Sequence, residues 1–348
     1  ASMAEPGEFT KRAFLNGKID LTQAEAVIDL INSKSAKENS ASVKQIEGFL
    51  GEKIKEIKRD IVDLLVDIEA NIDYPEYDVE EVRRERIETV LQGSISKIEK
   101  LEATFESGKV LREGVNTAII GKPNVGKSSL LNALLKENRA IVTEIAGTTR
   151  DTIEEYVTIK GIPLKLIDTA GIRDTSDIVE NIGIEKSKKA IDEAELVLLI
   201  LDATSDLTAE DRALLELIKD KKHIVLINKI DAGSKVSEAD LGDDNIIRIS
   251  IKNGDGLDLL ESKIENMFEL CALDSENDVV LTNSRHQALI LKAKEGIINA
   301  LNSAKNGLPL DMLSIDISEA IQRLGEITGE TVSEEVISGI FAKFCLGK

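Results

Sequence analysis

With 348 residues the chain is too long for one ordinary domain, and at roughly 150 residues per domain it should hold about two, each with its own core. Its apolar (42%) and charged (31%) fractions are those of a soluble globular protein, and with 3% aromatics and no Trp its cores must be built from Ile, Leu, Val and Ala. A formal charge of -20 repels polyanions on average, which excludes a general coat for nucleic acid or an anionic membrane and restricts any RNA link to a specific surface or a partner protein.

The first region, to about Lys109, has helical periodicity. Thr22-Gln-Ala-Glu25 has the form of a capping box, and Ala24, Val27, Ile28 and Ile31 follow at helical spacing. Ile46, Phe49, Leu50, Ile54, Ile57, Ile61, Leu64, Leu65 and Ile68 share one face of a long expected helix, which Asp73-Tyr-Pro75 stops. A third helix is expected to carry Val82, Ile87, Val90, Leu91, Ile95, Ile98, Leu101 and Phe105, with the charge run 78–88 as a solvated face. From about Asn116 the pattern changes. Apolar runs at 117–120, 157–159, 164–167, 196–201, 224–227 and 246–251 alternate with helical stretches and predict a mostly parallel sheet covered by helices. After about Ser275 the helical period returns, through Leu289 to Leu301, then from Pro309 through Ile317, Ile321 and Leu324, and last through Val336, Ile337, Ile340, Phe341 and Phe344. The expected architecture is therefore α/β and all-α: one helical-bundle domain from both ends of the chain, 1–112 and 275–348, with an α/β domain, 113–274, inserted.

Cys271 and Cys345 offer neither a disulfide framework nor metal-ligand spacing, as suits a reducing cytoplasm, the expected location. No apolar run approaches a membrane span and no signal peptide is read, so no membrane partner is expected. The opening Ala1-Ser2-Met3 is expected to be a processed start, with a few vector-derived residues. His223 and His286 have no partners at ligand spacing and are read as structural.

Three motifs of the middle region carry chemistry. Gly121-Lys-Pro-Asn-Val-Gly126-Lys127-Ser128 follows an expected strand and opens an expected helix, the setting of a phosphate-binding loop. Its glycines let backbone N–H groups turn inward on phosphate, Lys127 reaches the terminal phosphates, and the Ser128 hydroxyl suits magnesium. Asp168-Thr-Ala-Gly171 ends a strand, where Asp168 can hold magnesium directly or through water and the Gly171 N–H can face the γ-phosphate. Asn228-Lys-Ile-Asp231 ends another. Asp231 can accept from guanine N1–H and its exocyclic amine, whereas adenine would leave that carboxylate facing the wrong groups; the motif thus selects GTP over ATP. Ser250-Ile-Lys252 is a candidate for the loop closing on the base.

Between the first two motifs, Gly147-Thr-Thr-Arg-Asp151 offers Thr149 as a second hydroxyl ligand for magnesium, a capping or turn threonine being the alternative. In Ras-like GTPases a Gln after the DTAG glycine orients the attacking water. Here that place is Ile172, which cannot. Either the domain is a slow switch or another group supplies catalysis, with Asp174, Asp177, Glu180 and Glu185 nearby, any of which could be solvated surface charge.

On these residues the chain resembles the tRNA modification GTPase family MnmE (TrmE), over essentially its whole length. Pro6-Gly-Glu-Phe-Thr-Lys-Arg-Ala-Phe14 and Asn16-Gly-Lys-Ile-Asp-Leu-Thr-Gln-Ala-Glu-Ala26 are similar to the segment entering the family's helical domain. Asn124 is the family's phosphate-loop asparagine, Ile141-Val-Thr-Glu-Ile-Ala-Gly-Thr-Thr-Arg-Asp151 resembles its cation-binding loop, and Phe344-Cys-Leu-Gly-Lys348 resembles its C-terminal signature.

The resemblance implies a P-loop, Ras-like GTPase domain that dimerises with itself face to face on GTP. In it potassium, held by Asn124, Thr143, the Ile145 carbonyl and Thr148, takes the place of an arginine finger, a role worth about 10³–10⁵ in rate. It assigns Glu180 to orienting water, with Arg173 secondary. Motifs and resemblance together place around GTP or GDP Asn124, Val125, Gly126, Lys127, Ser128, Ser129, Thr143, Glu144, Ile145, Ala146, Gly147, Thr148, Thr149, Asp168, Thr169, Ala170, Gly171, Asn228, Lys229, Asp231, Ser250, Ile251 and Lys252. The wider task it implies is carboxymethylaminomethyl-type modification of the tRNA wobble uridine with the FAD-dependent partner MnmG. Lys18 and Lys348 match folate-touching positions, and Cys345 matches a cysteine near the modification site. Family members carry a further N-terminal folate-binding and dimerisation domain, so this chain is expected to hydrolyse GTP but not to modify tRNA unaided. The alternative reading is a GTP-dependent binding switch in ribosome assembly.

Overall fold

The computed structural model describes residues 3–73, 80–138, 155–167, 183–268 and 279–344. The chain forms two compact units, Ala1–Arg112 with Ser275–Lys348, and Glu113–Asp274. The second is an α/β domain inserted into a discontinuous helical one.

In the helical unit, α1 (Glu8–Leu15), α2 (Leu21–Asn32) and α3 (Ala36–Ile46) precede the long α4 (Phe49–Asp73), α5 (Glu80–Glu102) and α6 (Phe105–Glu113). Then α11 (Ser284–Lys305), α12 (Leu310–Thr328) and α13 (Glu334–Phe341) close it. Three expectations are corrected. The capping box of α2 is Asp20 with Gln23, not Thr22 with Glu25: extended Asp20 accepts the Gln23 N–H at 3.0 Å and the Thr22 hydroxyl at 2.6 Å, which places Thr22 inside the first turn. The face from Ile46 to Ile68 is divided between two helices, because Gly48 takes a φ of +93° and ends the α3 run. Phe105 likewise opens α6 rather than ending α5.

Along α4, Leu50, Ile54, Ile57, Ile61, Leu64 and Ile68 recur at three- and four-residue spacing, and all are buried. They pack with Leu91 and Ile98 of α5, Ile290 and Ile297 of α11, and Ile317 and Leu324 of α12 in one core. Truncating any of these to Ala should cost about 2–5 kcal/mol. A smaller cluster joins Leu21 and Ala24 to Ile337, Phe341 and Phe344, the last two rings 5.0 Å apart.

The α/β unit holds β1 (Val115–Ile120), α7 (Lys127–Asn138), β2 (Glu155–Ile159), β3 (Ile162–Leu166), α8 (Gly183–Glu193), β4 (Leu196–Asp202), α9 (Ala209–Ile218), β5 (Lys222–Asn228), β6 (Ile246–Arg248) and α10 (Leu257–Met267). Sheet order is β2-β3-β1-β4-β5-β6, parallel except for β2, which pairs antiparallel with β3 across a turn at Lys160 and Gly161, both of positive φ. The expected run 246–251 leaves the strand at Arg248. The central strand β4 is apolar from Leu196 to Leu201 and buried residue after residue, as a strand covered on both faces requires. β1 lies between β3 and β4, so chain direction across the sheet reverses at its carboxyl end, where open α/β sheets leave a crevice for ligands.

Candidate nucleotide-binding site

The loop from β1 to α7 turns sharply, with φ +142° at Gly121, +63° at Asn124 and +113° at Gly126. A Cβ at Gly121 would run into the Ile200 carbonyl of β4, and one at Gly126 into the Asn228 amide nitrogen. Conformation and space therefore both demand glycine at these two positions. Lys127 opens α7 and folds back to donate to the carbonyls of Gly121 (2.5 Å) and Lys122 (2.7 Å), which sets its ammonium inside the loop. Burial pulls its pKa down, as for a cation lacking a full counter-charge. A helix N-terminus and this ammonium together make an anion cradle. Ser128 lies on the same first turn, and Ser129 is exposed.

Asn228, closing β5, is 3% exposed and joins two loops: its Nδ2 donates to the Val125 carbonyl at 2.8 Å and its Oδ1 accepts the Ile251 N–H at 3.2 Å. Lys229, at φ +67°, donates to the Asn124 carbonyl at 2.8 Å and to Asp202 at 2.6 Å. Asp231 is exposed in a short turn after β5 and accepts the hydroxyl of buried Ser250 at 2.7 Å. The Ser250 carbonyl accepts the N–H groups of Gly254 and Asp255, curling 250–255 into a tight loop on which Lys252 is exposed. Hydrogen bonds thus link Asn124 and Val125 to Lys229 and Asn228, Asn228 to Ile251, and Asp231 to Ser250 along the carboxyl edge of the sheet, with Gly126, Lys127 and Ser128 following Val125 on the same loop and helix.

Thr143, Glu144, Ile145, Ala146, Gly147, Thr148, Thr149, Asp168, Thr169, Ala170, Gly171, Arg173, Glu180, Cys345 and Lys348 lie outside the described residues. Lys18 is exposed beyond α1. His223 pairs with Asp243 at 2.6 Å and His286 with Glu25 at 2.7 Å. Among the described residues no group of three or more His, Cys, Asp or Glu could hold a metal, and no helix is long and apolar enough to cross a membrane.

Two carboxylates bracing these loops escaped sequence reasoning. Asp202, the last residue of β4, binds Lys229, and Asp211, in the capping box of α9, binds Lys122 at 2.6 Å. Burial raises Asp202, but hydrogen bonds from Lys229 and Thr204 outweigh it and hold the carboxyl below its usual range. The available signal was position: an acidic residue closing a strand on the edge that carries the motifs.

A family model for the MnmE helical domain matches residues 21–345. Over its whole length the chain is 50% identical to the tRNA modification GTPase MnmE of Lactobacillus gasseri and 51% identical to those of a Thermoanaerobacter species and Streptococcus pneumoniae, spanning 76% of each. Solved structures similar to it include an Era variant of Aquifex aeolicus bound to GDP and aluminium fluoride (26% identity, 52% of this chain and 66% of that one, TM-score 0.31). Another is the G domain of the T. maritima FeoB iron transporter (26% identity, 44% and 97%, TM-score 0.32).

Proposed function

The chain belongs to the MnmE family of tRNA modification GTPases, and from that premise we propose that it is a magnesium-dependent, potassium-stimulated GTP hydrolase. We infer that it acts with an FAD-dependent, MnmG-type partner on the wobble uridine of tRNA, in the cytoplasm. The observation that carries the reading is Asn228, one buried side chain that ties the phosphate cradle at Val125 to the base loop at Ile251. Phosphate binding and base reading are thereby built as one unit.

In this reading the loop N–H groups and Lys127 hold the phosphates of GTP, and Asp231 takes the two guanine donors. The oxygen donors at Ser128 and Asn124 suit hard cations. Ser128 would hold magnesium with Thr149 and Asp168, and Asn124 would hold potassium with Thr143, the Ile145 carbonyl and Thr148. When bound, these cations supply positive charge that offsets what develops on the phosphate oxygens. The Gly171 N–H would face the γ-phosphate. Glu180, with Arg173 as a secondary candidate, would orient the attacking water, a task closed to Ile172. The GTP-bound domain pairs with a second copy of itself.

GTP turnover measured in KCl and in NaCl at equal ionic strength tests the reading. We expect the rate in KCl to be higher by about tenfold or more. Equal rates in the two salts would overturn the potassium assignment.

A further inference from the structure

We propose that Asp202 is a positioning residue for the phosphate loop: through Lys229 it fixes the backbone of Asn124 and so aims the Asn124 side chain. The inference deepens the potassium reading and rests on it.

Asn124 is an exposed residue in the left-handed region at φ +63°, a conformation open to asparagine that a fixed contact must hold if its side chain is to be aimed. The contact that holds it is the Lys229 ammonium, which donates to the Asn124 carbonyl at 2.8 Å. A lysine on a flexible stem is a poor fixed point unless it is anchored, and more than a third of the Lys229 side chain is exposed (37%). Its anchor is Asp202 Oδ2, at 2.6 Å. Asp202 cannot swing away, because Oδ1 accepts both the Thr204 N–H (2.9 Å) and the Thr204 hydroxyl (2.6 Å). The backbone around it is held too: Asp202 pairs in register with Asn228, and the Ala203 N–H donates to the Asn228 carbonyl at 2.8 Å. The line of force runs from the end of β4 through Asp202 and Lys229 to Asn124. The carboxylate also balances the ammonium, which otherwise would stand as unneutralised positive charge beside the residue proposed to bind a cation.

Partners that orient a metal ligand from behind typically change metal affinity about 10–100-fold when lost. We therefore expect D202N to raise the KCl concentration for half-maximal GTP turnover by about tenfold or more, with D202A larger and D202E partly recovered. Melting temperature and GDP affinity should stay close to wild type. Adding D202N to N124A should slow turnover no further, because the two act in series. An unchanged KCl requirement in D202N, additive losses in the double variant, or a loss confined to GDP affinity would each overturn the proposal. If the wild-type enzyme turns over equally in KCl and NaCl, the potassium reading itself fails, and amide exchange of residues 121–128 in the GDP-bound protein then decides. Faster exchange in D202N supports the clamp, and unchanged exchange sinks it.

Discussion

In the proposed function, Asp231 is an exposed side chain committed to one task, base recognition. It contributes nothing to a core, and its carboxylate is oriented by the hydroxyl of Ser250, a residue that is itself buried. Two acceptor oxygens match the two adjacent donors of guanine, and exchanging one oxygen for an amino group sets donor against donor. Asp231→Asn should therefore weaken GDP binding by about 10²-fold or more, since unpaired polar groups discriminate far more steeply than lost apolar contact. Thermal stability should barely move, because the residue is exposed. Calorimetric titration with GDP measures this, and affinity within about threefold of wild type would remove Asp231 from base recognition.

At the scale of elements, strands and motifs were legible because each leaves a residue pattern that can be read in sequence, whatever contact enforces it. Gly121 and Gly126 are dictated by neighbours that a Cβ would strike, and β4 by burial on both faces. Helix boundaries were less legible. Apolar residues keep their period across the Gly48 turn, so hydrophobic spacing alone cannot see the break between α3 and α4. Nor can it choose Asp20 over Thr22 as the cap, since both types cap helices and only backbone conformation decides. Asp202 was hidden for another reason, its partner Lys229 lying 27 positions away, just past the end of the next strand.

The same limit applies to Glu38, in the first turn of α3, where an acidic residue normally favours the helix dipole from solvent. Here it is 5% exposed, and burial pushes its pKa up to about 7 from an ordinary 4.5, with the Lys34 N–H opposing and nearby Asp29 adding to the rise. A raised folded-state pKa means that the linked stability is complete below about pH 4.5 and is lost as pH climbs toward about 7. Relative to Glu38→Gln, the wild-type protein should thus lose up to about 3 kcal/mol between about pH 5 and pH 7.5. Glu25 titrates in the opposite sense. Burial raises it, but His286 and Arg285 together lower it to about 2, so its contribution is lost only as pH falls below about 4.5. Thermal unfolding of wild type and Glu38→Gln across the upper window checks the assignment, and parallel curves there would refute it.

At the scale of the whole molecule, a charge of -20 sets 64 acidic groups against 44 basic ones. Some are offset locally, as where Lys97 reaches both Glu56 and Asp60 at 2.8 Å, but exposed pairs of this kind contribute little each. The remainder is self-repulsion, which opposes compaction and is screened beyond about 10 Å at 0.1 M salt. Added salt should therefore raise the melting temperature of the nucleotide-free protein whatever its cation, with KCl, NaCl and choline chloride giving nearly the same curve. GTP turnover should instead follow KCl alone, because the potassium site proposed at Asn124 would distinguish ions by size whereas screening does not. The comparison separates two causes that a simple salt titration confounds. Turnover rising in step with melting temperature in all three salts would mean that potassium acts through global charge. A melting temperature indifferent to every salt would mean that self-repulsion of the acidic excess does not limit stability.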